Sequence, residues 1–196
     1  MNMTEHIQNK EHLQELINSG RKDFSGRIFE KHGDFSGFDF RGLILNNANM
    51  KEVDLSGADF NGTENMSNVI LKGANLRGAD LSNSVLEGSD LSEANLEEAE
   101  LIGSNLISVN FFEANLKNAD LSDTSLAGAN FSKACLVKAS LRRAKLSGVM
   151  GNAIFEEADV AEADLQEVSK DNWEELKKMF GKAINFERSK KDESVE

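Results

Sequence analysis

Few residues in this sequence have the type and spacing that catalysis or metal binding requires. The three histidines are His6, His12 and His32, and none has a histidine or cysteine partner at the spacing of zinc ligands. The single cysteine, Cys135, cannot form an internal disulfide, and no histidine or other base lies near it in the sequence to activate the thiol. We therefore expect neither a metal site nor a nucleophilic thiol.

Hydroxyls and carboxylates give no stronger sign of catalysis. Six serines occupy the same position of a short repeat and are interpreted as repeat consensus: Ser56, Ser82, Ser92, Ser122, Ser132 and Ser147. The neighbours Glu97 and Glu98 suggest acid–base chemistry only if a cleft encloses them, and on an outer wall they would be solvated. The glycines follow repeat positions and form no phosphate loop. The sequence predicts no enzyme and no cofactor.

Leucine recurs at every fifth residue in the middle of the chain. It occupies positions 76, 81, 86, 91, 96, 101 and 106. On an α-helix a five-residue step turns by about 140°, so these leucines would spiral around the helix instead of forming a stripe. On a flat strand an odd step would send successive leucines to opposite faces. The pattern therefore predicts a solenoid whose backbone bends once in every five residues.

Each unit contains a small residue, an outward polar residue, a leucine and two corner residues, as in residues 94–98 (ANLEE). The small residue and the leucine are two apart, so a short extended segment points both inward. The small position holds Ala74, Ala79, Ser84, Ser89, Ala94, Ala99, Ser104, Val109, Ala114, Ala119, Thr124, Ala129, Ala134, Ala139 and Ala144. The second corner position, from Gly73 to Arg143, holds no apolar residue, so we expect tight, exposed corners there.

The same unit occurs in other phases on both sides of this run. Its earlier centres are Phe35, Phe40, Leu45, Met50, Leu55 and Phe60, and the next centre, Met66, comes one residue late. We expect residues 61–65 (NGTEN) to absorb the extra residue. After Leu146 the phase slips back by one, with centres at Phe155, Val160 and Leu165. Asp23-Phe24 and Ile28-Phe29 indicate a degenerate first turn.

This Ala-(Asp/Asn)-Leu-x-x pattern resembles the pentapeptide repeat family over about seven-tenths of the chain. The resemblance implies an all-β solenoid, a right-handed quadrilateral β-helix with one pentapeptide on each side. With about 20 residues in each coil, the chain would form about seven coils, stacked at about 4.8 Å into a rod of roughly 33 Å. A leucine-rich repeat is the alternative solenoid, but its period of about 20–29 residues does not fit.

Short helices are predicted to cap both ends, where a solenoid exposes its core and its backbone edges. The first covers residues 9–20, with Asn9 as N-cap and Gly20 at its end. The sequence divides into an N-terminal capping helix (1–22), the repeat β-helix (23–166), a C-terminal helix (167–186) and a mobile tail (187–196).

The predicted C-terminal helix has two interpretations. Trp173, Leu176 and Phe180 share its apolar face, which would cover the end of the solenoid. Some members of the pentapeptide repeat family pair through their C-terminal ends, and a lone tryptophan suits such an interface. The resemblance therefore also implies a homodimer formed through this helix as an alternative to a cap.

The composition bounds the setting in which the protein works. The chain has 196 residues, a formal net charge of −12 and no long apolar run, so we expect no membrane span. Its first ten residues, MNMTEHIQNK, lack the apolar region of a secretory signal, and a single cysteine fits a reducing compartment. We expect a cytoplasmic protein, and its negative charge argues against direct binding of nucleic acid.

Charge is distributed unevenly along the repeats. Residues 80–123, the acidic waist, contain ten acids and one base, Lys117. A basic collar follows, with no acid among its members Lys133, Lys138, Arg142, Arg143 and Lys145. Family members that protect DNA gyrase and topoisomerase IV from quinolones resemble short DNA rods with negative surfaces, so the waist raises DNA mimicry as one function.

Charge density distinguishes DNA mimicry from the other candidate functions. Over the roughly 10 Å of the waist DNA would carry about six charges, so the local density is comparable. Over a rod of roughly 33 Å DNA would carry about 20 charges, whereas residues 23–166 contain 23 acids and 12 bases. The basic collar also interrupts the mimicry. DNA mimicry is therefore the alternative function.

The function we expect is a non-enzymatic scaffold whose rigid walls bind a protein partner that the sequence does not identify. A solvated acidic surface that only keeps the rod soluble is the remaining interpretation. The candidate binding surface, drawn from the waist and the collar, comprises Glu87, Asp90, Glu93, Glu97, Glu98, Glu100, Arg142 and Arg143.

Overall fold

The structure is a computed structural model that describes residues 6–147 and 152–164. Within these residues the regular elements are β1 (His6–Ile7), α1 (Lys10–Asn18), β2 (Ile28–Phe29), β3 (Ser125–Leu126) and β4 (Lys145–Leu146). Strand β1 pairs in parallel with β2, and β3 pairs in parallel with β4. Elsewhere each side of a coil contributes one residue to the ladder, so the parallel pairing continues as isolated bridges.

The bridges align in four columns, which define four faces of a solenoid that the chain visits in the order 1 to 4. Face 1 carries Asp23, Ile44, Val85, Asn105, Ser125, Lys145 and Asp164. Face 2 carries His6, Ile28, Asn49, Ile70, Asp90, Asn110 and Asn130. Face 3 carries Asp34, Asp54, Asn75, Asn95, Asn115, Cys135 and Ile154. Face 4 carries Asp39, Asp59, Asp80, Glu100, Asp120, Ser140 and Asp159.

A two-residue corner joins each face to the next, and each corner is named after the two faces it joins, so that corner 1–2 joins face 1 to face 2. After Leu96, the amide of Ala99 donates a hydrogen bond to the Leu96 carbonyl across the corner, at 3.1 Å. The residue before Ala99, Glu98, has φ = 61°, as a type II turn requires at its third residue. All 15 second-corner positions predicted between Gly73 and Arg143 have positive φ. The predicted corners are confirmed.

The register between coils changes at three places. Bridges join residues 21 apart at Asp59↔Asp80 but 20 apart at Ile70↔Asp90, which confirms that residues 61–65 hold the extra residue. Bridges 19 apart, as at Ser140↔Asp159, confirm the slip after Leu146. A third break, which the sequence reasoning missed, lies between residues 29 and 34. Gly33 is required there, because an added Cβ would lie 2.8 Å from the Glu30 carbonyl oxygen.

Leucine and phenylalanine fill the interior, and every residue at the predicted small position is buried. The first coil is centred on four buried phenylalanines, Phe24, Phe29, Phe35 and Phe40. Phe40 stacks on Phe60 of the next coil at a centroid distance of 4.5 Å. The repeat thus stacks like side chains on like, which gives the continuous apolar core that a solenoid needs.

The N-terminal segment packs on the first coil. Helix α1 begins after Asn9, whose side chain accepts a hydrogen bond from the His12 amide, and the predicted N-cap is confirmed. Leu13 of α1 is buried in the solenoid core, and the Lys10 ammonium donates to the Ser36 carbonyl at 2.7 Å. Strand β1 was not predicted; the carbonyl of its Ile7 accepts the Glu30 amide at 2.8 Å.

The predicted C-terminal helix and tail lie outside the described residues, together with Leu165. So do Trp173, Leu176 and Phe180, the residues of the predicted cap or dimer contact. The domain limits assigned from the sequence stay predictions.

Candidate binding surface

The residues predicted as a binding surface do not form one patch. They lie on corner 1–2 (Glu87), face 2 (Asp90), corner 2–3 (Glu93), corner 3–4 (Glu97 and Glu98), face 4 (Glu100) and corner 4–1 (Arg142 and Arg143). The two arginines also lie two coils away from Glu100. The coil winds the acidic waist around the solenoid, so a run of like charge along the chain becomes a belt instead of a patch.

Neighbouring coils neutralise much of this belt. On corner 2–3, the Lys72 ammonium lies 2.9 Å from a Glu93 carboxylate oxygen. One coil further on, Lys133 lies 2.8 Å from Glu113 and 5.0 Å from the centroid of the Phe112 ring. Lys72 and Lys133 fall outside residues 80–123, so a charge count along the sequence misses them. The waist is therefore less negative in space than in sequence.

Corner 3–4 repeats this compensation. The Arg77 guanidinium lies 2.7 Å from a Glu98 carboxylate oxygen, and Lys117 lies 3.7 Å from Glu97. Arg77 also precedes the waist in the sequence. Exposed ion pairs of this kind stabilise a fold by only about 0–1 kcal/mol each, so their main effect here is on the surface potential.

The basic collar is also largely paired. Arg143 Nε and Nη2 donate to the two Asp123 carboxylate oxygens at 2.7 and 2.6 Å, and this hydrogen-bonded pairing lowers the pKa of Asp123. Arg142 Nη1 lies 2.9 Å from Asp159, which raises the pKa of Arg142. The collar thus connects the waist to the last described coil and does not form a free basic surface.

Face 4 has a charge column that sequence reasoning missed. Acids occupy six of its seven bridge positions, with Ser140 as the exception. Coils stack at about 4.8 Å, so successive carboxylates project from one wall at that spacing. The signal in the sequence is an acidic residue that recurs about once per coil, as at Asp39, Asp59 and Asp80. Dividing the sequence into units of five residues does not reveal this longer spacing.

The two ends of this column are compensated. Arg41 Nε and Nη2 donate to Asp39 at 2.9 and 2.8 Å, and Arg41 Nε also lies 3.1 Å from Asp59. The hydrogen bonds from Arg41 lower the pKa of Asp39. At the other end, the Ala161 amide and then Arg142 lower the pKa of Asp159.

The centre of the column is not compensated in this way. Asp80, Glu100 and Asp120, which we call the face-4 centre, form no ion pair with any residue that the structure describes. For Asp80, partial burial acts to raise the pKa, but hydrogen bonds from Asn61 and Ser82 outweigh it, and the pKa lies below its ordinary value. Three adjacent coils therefore present acids without an ion pair on one wall, where Arg41 and Arg143 act on Asp80 and Asp120 only from a greater distance.

Side-chain amides form ladders on faces 2 and 3. On face 3, Asn115 donates to Asn95 at 3.0 Å, Asn95 to Asn75 at 3.3 Å, and Asn75 to Asp54 at 3.0 Å. Cys135 takes the next position, with its thiol partly exposed, and ends the ladder. On face 2, Asn130 and Asn110 form a similar ladder that ends on Asp90. These amides bond to one another along the walls.

The residues first considered for chemistry lie apart from one another. His6 Nδ1 is 3.0 Å from Glu30, and His32 Nε2 is 3.9 Å from Glu52. Across residues 6–147 and 152–164, no cluster of histidine, cysteine and carboxylate residues is arranged to hold a metal ion. In the same part of the chain, no helix is long and apolar enough to cross a membrane.

Comparison with known proteins identifies the repeat. The family model of pentapeptide repeats matches residues 31–63, 70–106 and 110–148 with eight copies. No curated protein sequence matches the chain.

Solved structures of pentapeptide repeat proteins match most of the chain. The pentapeptide repeat protein alr5209 from Nostoc PCC 7120 is 30% identical, and the match covers 71% of this chain and 82% of that chain with a TM-score of 0.27. HetL of Nostoc sp. strain PCC 7120, described as involved in heterocyst differentiation regulation, is 22% identical over 82% of this chain and 94% of its own, with a TM-score of 0.31. Full-length QnrB1, a plasmid-mediated fluoroquinolone resistance protein, is 15% identical over 81% and 90%, with a TM-score of 0.43.

The family match covers more than half of the chain and coincides with the coils whose corners and bridges are described above. The chain belongs to the pentapeptide repeat family, and its repeats form the right-handed β-helix solenoid of that family.

Proposed function

We propose that this protein is a non-enzymatic scaffold that binds a partner carrying a basic helix along face 4. The observation that supports the proposal is the face-4 centre, where Asp80, Glu100 and Asp120 project from successive coils without an ion-pair partner among the described residues. In the fuller form of the proposal, the repeat makes about seven coils, and a helix caps each end of the rod.

The spacing of the carboxylates suits a helical partner. Coils stack at about 4.8 Å, and an α-helix returns to the same side once per turn of about 5.4 Å. A partner helix lying along the column would present arginine or lysine at i, i+3 or i+4 and i+7 close to successive carboxylates. An extended strand returns to one side only every two residues, about 6.7 Å, and fits the column less well.

Binding of a defined peptide tests the proposal. The probe is an alanine-rich helical peptide with arginines along one stripe, compared with a peptide of the same composition whose arginines are scattered around the helix. The triple variant Asp80→Asn/Glu100→Gln/Asp120→Asn removes three charges and retains acceptors for the corner amides of Ser82 and Ser122. At about 0.5 kcal/mol for each exposed pair, affinity for the striped peptide should fall roughly tenfold.

The matched control is Glu87→Gln/Glu93→Gln/Glu113→Gln, which changes the net charge equally on corners 1–2 and 2–3, neither of which borders face 4. It should retain most of the wild-type affinity in fluorescence anisotropy at fixed salt. An equal loss in the two triple variants would mean that net charge alone attracts the peptide, and equal affinity for the striped and scattered peptides would also contradict the proposal.

Charge density weighs against DNA mimicry as the alternative function. The face-4 column offers one carboxylate per about 4.8 Å, whereas DNA carries one charge per about 1.7 Å. The ion pairs of corners 2–3 and 3–4 further reduce the negative potential. A supercoiling assay with DNA gyrase, with and without a fluoroquinolone, should give neither inhibition nor protection at tens of micromolar protein. Either effect would favour the DNA mimic instead.

A further inference from the structure

A different side of the solenoid has almost no charge. Face 1 and its two flanking corners, 4–1 and 1–2, make up a wall that we call the neutral wall, from Ile44 to Gly128. Its charged residues, among those described, are Glu64, Glu87 and Asp123, and Asp123 is paired with Arg143. The other corners carry the ion-pair ladders described above, so charge is segregated around the solenoid.

Corner 1–2 of the neutral wall carries short side chains at its second position. The second-corner column between faces 1 and 2 reads Asn47, Asn68, Gly88, Ser108 and Gly128, all with positive φ. The corresponding positions on corners 2–3 and 3–4 include long side chains such as Glu98 and Lys133. A surface of short side chains loses little rotamer freedom when another surface covers it.

Four partly exposed aliphatic side chains lie on this wall, although the two most exposed isoleucines of the described residues lie on other faces. Ile102, on corner 4–1, is 36% exposed, and Ile44, Val85 and Ile107 are half-buried on face 1 and corner 1–2. Isolated exposed aliphatics are ordinary on a protein surface. Here they occur together on a wall with few charged side chains, and such a surface suits a partner of matching chemistry.

We infer that the neutral wall binds the neutral wall of a second copy of this chain. Two molecules with a net charge of −12 repel each other, and repulsion is least when their charged sides face outward. A twofold axis places the same patch on both copies, and the common coil spacing of about 4.8 Å lets the two ladders of side chains mesh.

The size of the wall makes this a weak dimer. The five coils from Ile44 to Ser125 span about 19 Å, and a three-residue side with its corners is roughly 20 Å wide. Each copy would therefore bury on the order of 400–500 Å², at the low end for specific complexes. Association should be concentration-dependent, and added salt should strengthen it by screening the repulsion between the two copies.

Sedimentation equilibrium of the full chain tests this inference. The wild type should show a dimer at hundreds of micromolar, and the apparent association constant should rise between low and moderate NaCl. Ile102→Glu/Ile107→Glu should weaken association about tenfold or more, because it places charges within the interface. The control is Ile154→Glu, which alters an isoleucine that is 52% exposed on face 3, and it should associate like the wild type.

A more conservative substitution controls for the possibility that the isoleucine variants misfold. Asn105→Asp adds a charge at the centre of face 1 and keeps the side-chain oxygen that accepts the Ile107 amide at 3.1 Å; it should also weaken the dimer. A wild type that stays monomeric over this range overturns the inference. A dimer that survives both neutral-wall changes overturns it as well and places the contact elsewhere, for example at the predicted C-terminal helix.

Discussion

Thr63 allows a direct test of how much an unpaired polar group destabilises the core. The side chain is 1% exposed, and its hydroxyl has no hydrogen-bond partner among the described residues. Valine has nearly the same shape, and Val53, Val69 and Val109 are already buried at small positions of the repeat. Thr63→Val should therefore relieve an unpaired buried hydroxyl and stabilise the protein by about 1–3 kcal/mol.

Thr124 provides the matched control. It is equally buried, but its hydroxyl donates to the Leu121 carbonyl at 2.6 Å. Thr124→Val removes that bond and should destabilise the protein by about 0.5–1.5 kcal/mol. Urea unfolding followed by circular dichroism should show midpoints that move in opposite directions with an unchanged slope. If Thr63→Val lowers the midpoint, or both variants shift it the same way, the assignment of an unsatisfied hydroxyl at Thr63 is refuted.

Three further predictions concern the corners, the amide ladder and pH. Ser108→Gly should raise the free energy of unfolding by about 0.5–1 kcal/mol in urea, because Ser108 has φ = 57° in a corner column where Gly88 and Gly128 are its neighbours. Ile107→Gly should lower the free energy of unfolding, and the opposite pair of results would contradict the corner assignment. Cys135→Asn should extend the face-3 ladder to Asn115 and raise the thermal midpoint by the equivalent of about 0.5–1 kcal/mol, whereas Cys135→Ala should not. Hydrogen-bonded carboxyls such as Asp39, Asp123 and Asp159 have pKa values in the folded protein below the ordinary 3.8. The stability that they contribute is complete above pH 3.8 and is lost as the pH falls through the lowered pKa. An unfolding midpoint that does not change between pH 5 and pH 2.5 would contradict this prediction.

The five-residue period was enough to predict the corners and the core, because both depend on residues close together in the chain. A corner at Ser108 follows from its position two residues after Leu106, and burial of Ala94 follows from its position two residues before Leu96. The helix after Asn9 was predicted for the same reason, since capping is local. Strand β1 was missed because two residues, His6 and Ile7, carry no periodicity and are held by pairing with distant residues.

The candidate site was harder to predict because it depends on which residues meet across coils. An average separation of 20 residues does not give the partners, since breaks near Gly33 and in residues 61–65 each shift the register by one. Asp59 therefore meets Asp80, and a strict 20-residue spacing would have paired it with Ala79, which is buried. The acidic column on face 4 appears only when the break in residues 61–65 and the slip after Leu146 are placed correctly.

The arrangement of charge in a solenoid depends on its period more than on its local density. Acids that lie close together in the sequence, such as those at 87, 90 and 93, are placed on different sides of the solenoid. There a base from the neighbouring coil can form an ion pair with them, as Lys72 does with Glu93. Acids that recur once per coil, such as Asp80, Glu100 and Asp120, are stacked on one wall and cannot compensate one another. Many of the charges are thereby paired on corners or stacked on face 4, and no bridge residue of face 1 between Ile44 and Ser125 is charged. Moving one acid by five residues should therefore transfer negative potential from one face to the next. The double variant Glu100→Gln/Asn105→Asp should move it from face 4 to face 1 while the net charge stays the same. This double variant should weaken binding of the striped basic peptide and dimerisation together. A loss of one without the other would show that the two walls do not act through the charge that the coil places on them.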